Sequence, residues 1–225
     1  TGISSVRLTE VRTLGVALIL LVYLLIKKPQ DLKAPRHLIR RMIMFGVIGV
    51  AAVQGFYFFS ISKLPVSIAL IIEFTAPIWI TLYIRFIKKE PVAKSMWYGL
   101  VLGFGGLILV GQVWKGLTFS GLGLISSIID ALALAFYFYQ ASQLRKFVSG
   151  ETLVFYGMSV TAIFFSIIQP WWSYPFHIFT DHISLTGRLA GHALPGWLLI
   201  SWVIVMGTLV PYILVTAAIK NINAS

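Results

Sequence analysis

Seven apolar runs of roughly bilayer length recur along this chain, and that length constrains its fold more than any other feature. About 20 apolar residues wound as a helix cross the hydrocarbon of a membrane. Without water to satisfy backbone N–H and C=O groups, each crossing has to bond within itself, which a helix does. The runs cover residues 6–26, 41–62, 65–86, 95–113, 121–143, 152–171 and 196–219. Only 11% of the 225 residues are charged and 58% are hydrophobic, whereas soluble domains carry about 25% charged residues. The pattern predicts an all-α membrane protein, a polytopic helical bundle. The chain has no cysteine, which excludes a disulfide framework, a thiol nucleophile and a thiolate metal site.

A formal net charge of +11 raises the question of nucleic acid. The basic residues answer it by their placement. Thirteen of the 18 Lys and Arg lie in the turns after the first, third, fifth and seventh runs, as in Lys27-Lys28, Lys88-Lys89 and Arg145-Lys146. The opposite turns hold only Lys63, Lys115 and Arg188. That bias marks the basic side as cytoplasmic, so nucleic-acid binding is not expected. By the same assignment the first run enters from outside, which predicts a further helix before Thr1 and reads the chain as a fragment.

An internal repeat points the same way. A shift of 158 residues lays Gly49 on Gly207, Ile61 on Ile219 and Ser67 on Ser225. A shift of 145 lays Ser4 on Ser149 and Leu8 on Leu153. Copies separated by an odd number of crossings have opposite orientations, the arrangement of inverted-repeat transporters. The register predicts one repeat over 1–113, lacking its first helix, and a second over 121–225, lacking its last two. The whole would then have ten helices, about seven of them in this chain.

Glu73 lies near the middle of the third run, followed one turn later by Pro77. A charged acid at mid-membrane costs about 2.5–3.5 kcal/mol on insertion scales and marks a functional site or a buried partner. Pro77 lacks the N–H that would bond the Glu73 carbonyl and can kink the helix there. Glu73 is a candidate for binding a substrate amine or a coupling proton; its alternative is a protonated structural acid. Asp130 shares a helical stripe with Ser126, Ser127 and Tyr137, and such a stripe should face protein or water. Arg12, with Glu10 and Arg7 nearby, could clamp a substrate carboxylate or pair with a carboxylate of the protein. Gln54 and Tyr57 in the second run, and Thr208, Tyr212 and Thr216 around Pro211 in the seventh, could line a path; hydroxyls also bond back to their own helix. Pro77 and Pro211 are candidate gating kinks. Gly103, Gly105, Gly106 and Gly111 predict close helix packing. Trp171, Trp172, Trp197 and Trp202 are expected near the outer interface. His177, Asp181, His182 and His192 lie in the long outer loop, where no rigid frame holds a metal, and no metal or cofactor is expected.

Several of these stretches together carry a resemblance. Arg12, Leu64-Pro65-Val66-Ser67-Ile68-Ala69, Glu73-Phe74-Thr75-Ala76-Pro77, Lys89-Glu90-Pro91 and Gly103-Phe104-Gly105-Gly106-Leu107 resemble the drug/metabolite transporter superfamily. The likeness is to its ten-helix bacterial exporters with two EamA-type repeats, and the Glu-Phe-Thr-x-Pro run is similar to the threonine/homoserine exporter group. One departure bears on the substrate: Asp130 stands where the family usually has a small residue. The resemblance implies a secondary exporter of the bacterial inner membrane, moving amino acids or related metabolites by alternating access with proton coupling. Efflux of cationic compounds is the alternative, and a non-transporting scaffold or receptor is the reading from a different class. Its partners would be a small-molecule substrate and membrane lipid, with a homodimer allowed. An enzyme is not expected, because the four histidines lie outside the runs and no metal-ligand spacing occurs within them.

Overall fold

The computed structural model describes residues 3–111, 120–184 and 193–222. In chain order its helices are α1 (Ser5–Lys27), α2 (Arg36–Ile61), α3 (Val66–Ile87), α4 (Lys94–Gly111), α5 (Gly121–Leu144), α6 (Gly150–Ile168) and α7 (Gly196–Ile219). Six of the described helices are long and apolar enough to cross a membrane. The chain is an all-α polytopic membrane protein. The fourth predicted run contains α4, whose apolar part is described over Lys94–Leu109; residues 112 and 113 of that run lie outside the described residues.

Local chemistry sets the helix ends and irregularities. The Ser4 hydroxyl accepts the Arg7 N–H at 3.2 Å to start α1, and the Ser149 hydroxyl accepts the Thr152 N–H at 3.3 Å to start α6. Each satisfies one of the orphan donors of a first turn. Three of the described helices widen into π geometry, α2 over Phe45–Ala52, α3 over Tyr83–Ile87 and α7 over Val205–Leu209. In α7 the wide turn precedes Pro211, whose missing N–H leaves the Gly207 carbonyl without its usual donor. The Thr208 hydroxyl donates to the Val203 carbonyl at 3.1 Å within this stretch.

By packing, the chain forms two compact units, Thr1–Val47 with Ala141–Ser225, and Ile48–Gln140. In the first, α1 packs along α6 and against α7. Gly46 sits so close to α6 that a Cβ there would lie 2.5 Å from Val160 Cβ, and its carbonyl accepts the Thr161 hydroxyl at 2.9 Å. On the basic side, Lys28 Nζ meets Glu151 Oε1 at 2.9 Å and the Tyr156 hydroxyl donates to the Leu32 carbonyl at 2.6 Å. That hydrogen bond with Glu151 raises the Lys28 pKa above its ordinary value.

The outer loop of this unit is more ordered than its sequence suggests. Tyr174 and Ile178 pack with Val11 of α1 and Ile200 of α7 in a small core, with Trp171 against it. Strands β1 (His182–Ser184) and β2 (Ala193–Pro195) then pair antiparallel, Ile183 opposite Leu194. Trp172, by contrast, is 88% exposed, and Trp197 and Trp202 are also exposed.

In the second unit, a Cβ at Gly123 of α5 would stand 2.7 Å from Leu64 Cγ, so glycine is what admits this approach. The hydroxyls of Ser60 and Ser127 bond each other, and the Ser126 hydroxyl donates to the Phe56 carbonyl at 2.9 Å. Polar side chains thus join α2 to α5. The glycines of α4 correct an expectation. Among the described residues, a Cβ at Gly103, Gly105 or Gly106 would meet no atom within 4 Å, so close packing against these residues does not explain them; the side chain position of Gly111 lies outside what is described.

Candidate functional site

The site of the second unit begins with a break in α3. Its first half is Val66–Glu73 and its second Ala76–Leu82, with Phe74 and Thr75 turning between them at ψ 3° and −8°. Pro77 opens the second half, where a missing N–H does least harm within that segment, but it deprives the Glu73 carbonyl of its donor one turn on. Thr75 braces the break. Its hydroxyl donates to the Ile72 carbonyl at 2.6 Å and accepts the Trp79 indole N–H at 3.0 Å. Glu73 is therefore the terminal residue of a half-helix, half-buried at a fixed turn.

Asp130 of α5 is 1% exposed, and its buried Oδ1 has no hydrogen-bond partner among the described residues. Glu73 and Asp130 lie within electrostatic reach of each other, and Tyr57 of α2 lies within reach of both. Three sequence-predicted residues on three helices thus converge. Ser126, Ser127 and Tyr137 are buried on α5 as the polar stripe predicts. Gln54 is half-buried on α2, one turn before Tyr57 and Phe58. Two acids within electrostatic reach of each other, with no cation paired to either among the described residues, favour a shared proton or a cation between them.

Among the remaining candidates, all in the first unit, Arg12 lies within electrostatic reach of Tyr212, which joins a predicted cation to a predicted ring. Glu10 pairs with Arg7, Arg7 Nη1 to Glu10 Oε2 at 2.8 Å, and is fully buried. Arg7 also donates to the carbonyls of Gln169 at 2.8 Å and Pro170 at 3.2 Å and to the Ser173 hydroxyl, with its guanidinium 5.7 Å above the Tyr174 ring. Burial, with the charge of Glu10, pushes the Tyr174 hydroxyl pKa up. The i, i+3 spacing of Arg7 and Glu10 was the available signal for this pair; the loop carbonyls that complete it gave none. Thr208 and Thr216 are buried and bond back to their own helix, Thr216 to the Ile213 carbonyl at 3.0 Å. His177 Nε2 lies 3.8 Å from Asp181 Oδ2 on the exposed loop, and His192 lies outside the described residues.

Transporters hold ions and substrates near the bilayer midplane with discontinuous helices, and ionisable residues inside a membrane mark such pathways. Residues 1–112 match the EamA-like transporter family. That match spans α1 to the end of α4 and so includes Arg12, Tyr57, Glu73 and Pro77 of the EamA-like half. A shorter likeness, 42% identity over 52 residues, is to the probable 4-amino-4-deoxy-L-arabinose-phosphoundecaprenol flippase subunit ArnE of Pseudomonas fluorescens (strain Pf0-1). It covers 23% of this chain and 46% of that protein, so the chain spans about half the length of this curated relative. A crystal structure described only as that of a protein superposes with a TM-score of 0.71 over 98% of this chain and 71% of its own, at 16% identity. That is a likeness of fold alone.

Proposed function

We propose that this chain is the working part of a drug/metabolite-type secondary transporter that moves a small amine-bearing metabolite, amino acids first, by alternating access. The observation that carries the reading is the convergence of Glu73, at the end of a half-helix, with buried Asp130 and with Tyr57. Two acids suit an ammonium group, and a proton can occupy the pair when the substrate has left, which couples transport to a proton gradient. In the first unit Arg12, within electrostatic reach of Tyr212, is a separate candidate for holding a carboxylate. The EamA-like match of the first half supports a transporter of this type. The relative's printed substrate also contains an amino group, which supports an amine at the carboxylates without choosing between an amino acid and an amino sugar.

The ten-helix inverted repeat is part of the same proposal. The family match ends at residue 112, next to the end of the proposed first repeat. Ser4 and Ser149, superposed by the shift of 145, each cap the first turn of a helix. The shift of 158 lays Phe45–Ala52 on residues 203–210, and the π turn of α7 falls at Val205–Leu209. Matched caps and matched wide turns are what a shared ancestral repeat leaves behind. The inner membrane of a bacterium is the proposed location.

Efflux tests the proposal. Cells expressing the protein are loaded with labelled threonine and, separately, with a cationic dye. Faster threonine loss that Glu73→Gln abolishes is the expected result. Dye efflux alone would replace the amino-acid reading by cationic-compound efflux, and full activity in Glu73→Gln would remove the acid from the pathway.

A further inference from the structure

Beyond the carboxylates, α3 and α5 wall a common groove. The two helices run in the same direction: Glu73 is level with Asp130, and farther along the Tyr83 ring meets the Tyr139 ring edge-on at 5.1 Å. Between them lies a cavity of about 730 Å³, walled by Trp79, Tyr83, Phe86, Leu132, Phe136 and Tyr139. Its volume falls within the range of small-molecule sites, about 300–1,000 Å³. On α3 the groove runs from Trp79, one turn past Thr75, to Ile87, where the helix ends. That is a rise of roughly 12 Å, within the half-thickness of a hydrocarbon core, about 15 Å. With Glu73 near the middle of the crossing, the groove lies in one leaflet, the one on the basic side.

Its end is charged. Lys88, the first residue beyond α3, reaches the Tyr139 hydroxyl on the groove wall, and that bond raises the Lys88 pKa. Arg85 and Lys89 are exposed on the same turn, and Glu90 is the opposing acid within reach of Lys88. Lys89 holds φ at 58°, which turns the chain sharply after Lys88 instead of extending the helix into solvent. An apolar trough in one leaflet ending on a cation at the interface has the charge and shape of an amphiphile with an anionic head. Water would fill the trough poorly, since its walls are rings and methyl groups.

We propose that this groove holds an acyl chain of an anionic phospholipid of the basic-side leaflet, with the lipid phosphate on Lys88. The lipid is a resident of the fold and not the transported substrate. Its chain lies against Trp79, whose indole braces the break at Thr75, so an occupied groove steadies the turn that carries Glu73.

The test is lipid retention by the purified, full-length protein in native mass spectrometry, offering palmitoyl-oleoyl phosphatidylglycerol and the matching phosphatidylcholine. Preferential retention of phosphatidylglycerol is expected, lowered about fivefold by Lys88→Gln, the effect of one interfacial lysine. Leu132→Trp, which fills the groove from a half-exposed position, should lower retention of both lipids. Lys94→Gln removes the same charge at a site off the groove and should change nothing. Equal retention of the two lipids overturns the proposal, as does an equal loss in Lys94→Gln, which would mean general surface attraction. Competition by glycerol phosphate as strong as by whole lipid also overturns it, since the groove would then contribute nothing.

Discussion

The Trp79 indole N–H donates to the Thr75 hydroxyl at 3.0 Å, across the first turn of the half-helix that follows Glu73. Thr75 itself donates to Ile72 on the preceding half-helix, so one hydroxyl ties together both sides of the break. A proline alone makes a helix bend loosely, whereas a proline with this brace gives one geometry. Thr75→Val keeps the shape of the side chain and removes both bonds. It should cost about 1–2 kcal/mol, two ordinary hydrogen bonds offset by relaxation, read as a lowered midpoint of unfolding in mixed micelles. Thr75→Ser, which keeps the hydroxyl, should restore most of that loss; an equal loss in both variants would mean that the brace does not hold the turn.

Gly46 and Val160 give a second test, confined to the packing of α2 on α6. With a Cβ 2.5 Å from Val160 Cβ, Gly46→Ala cannot fit without displacement of a helix or a rotamer. Overpacking of this kind costs about 1–3 kcal/mol. Val160→Ala should recover part of it, and a double-mutant cycle on unfolding should give a favourable coupling above about 0.5 kcal/mol. Additive losses would mean that the two residues do not meet.

The sequence made the helices legible because the apolar runs are long and the turns between them basic, signals that depend on solvent and not on tertiary detail. Glu73, Pro77 and Asp130 were legible for the same reason: an acid inside an apolar run stands out wherever it ends up. What the pattern could not give is partner choice. The i, i+3 spacing offered Glu10 to Arg7, but nothing in it announced the carbonyls of Gln169 and Pro170, more than 150 residues away, which also converge on Arg7. The hairpin at Ile183 and Leu194 was missed because each strand has three residues, too few for an alternating pattern. The groove was missed because Trp79, Tyr83 and Tyr139 look like ordinary packing until two parallel helices wall a groove with them.

The Arg7–Glu10 pair predicts an asymmetry. Glu10 is fully buried, and its Oε1 has no partner among the described residues, so its charge depends on Arg7. Arg7→Met leaves that charge uncompensated and should cost about 3–5 kcal/mol, whereas Arg7→Met with Glu10→Leu should cost far less, because an apolar pair of similar volume removes the desolvation penalty. Unfolding of the unaltered protein and of both variants in detergent checks this. A double variant as unstable as Arg7→Met alone would show that the carbonyl contacts of Arg7, not its charge, hold the outer loop.

Glu73 and Asp130 should fail as one unit. If the two acids share a single task, holding an ammonium or a proton, then removing either empties the site, and removing the second has little left to remove. Glu73→Gln and Asp130→Asn should each slow efflux of the transported amine at least about tenfold, and the double variant should be no slower than the worse single. The conservative Glu73→Asp keeps the charge but withdraws it by one methylene from Asp130 and Tyr57, and should raise the substrate concentration for half-maximal transport more than it lowers the maximal rate. The measurement is initial efflux rate across a substrate series in reconstituted vesicles, with protein insertion matched between variants. Multiplicative losses in the double variant would instead place the acids in separate steps, with Asp130 acting through the polar stripe of α5 and not beside the substrate.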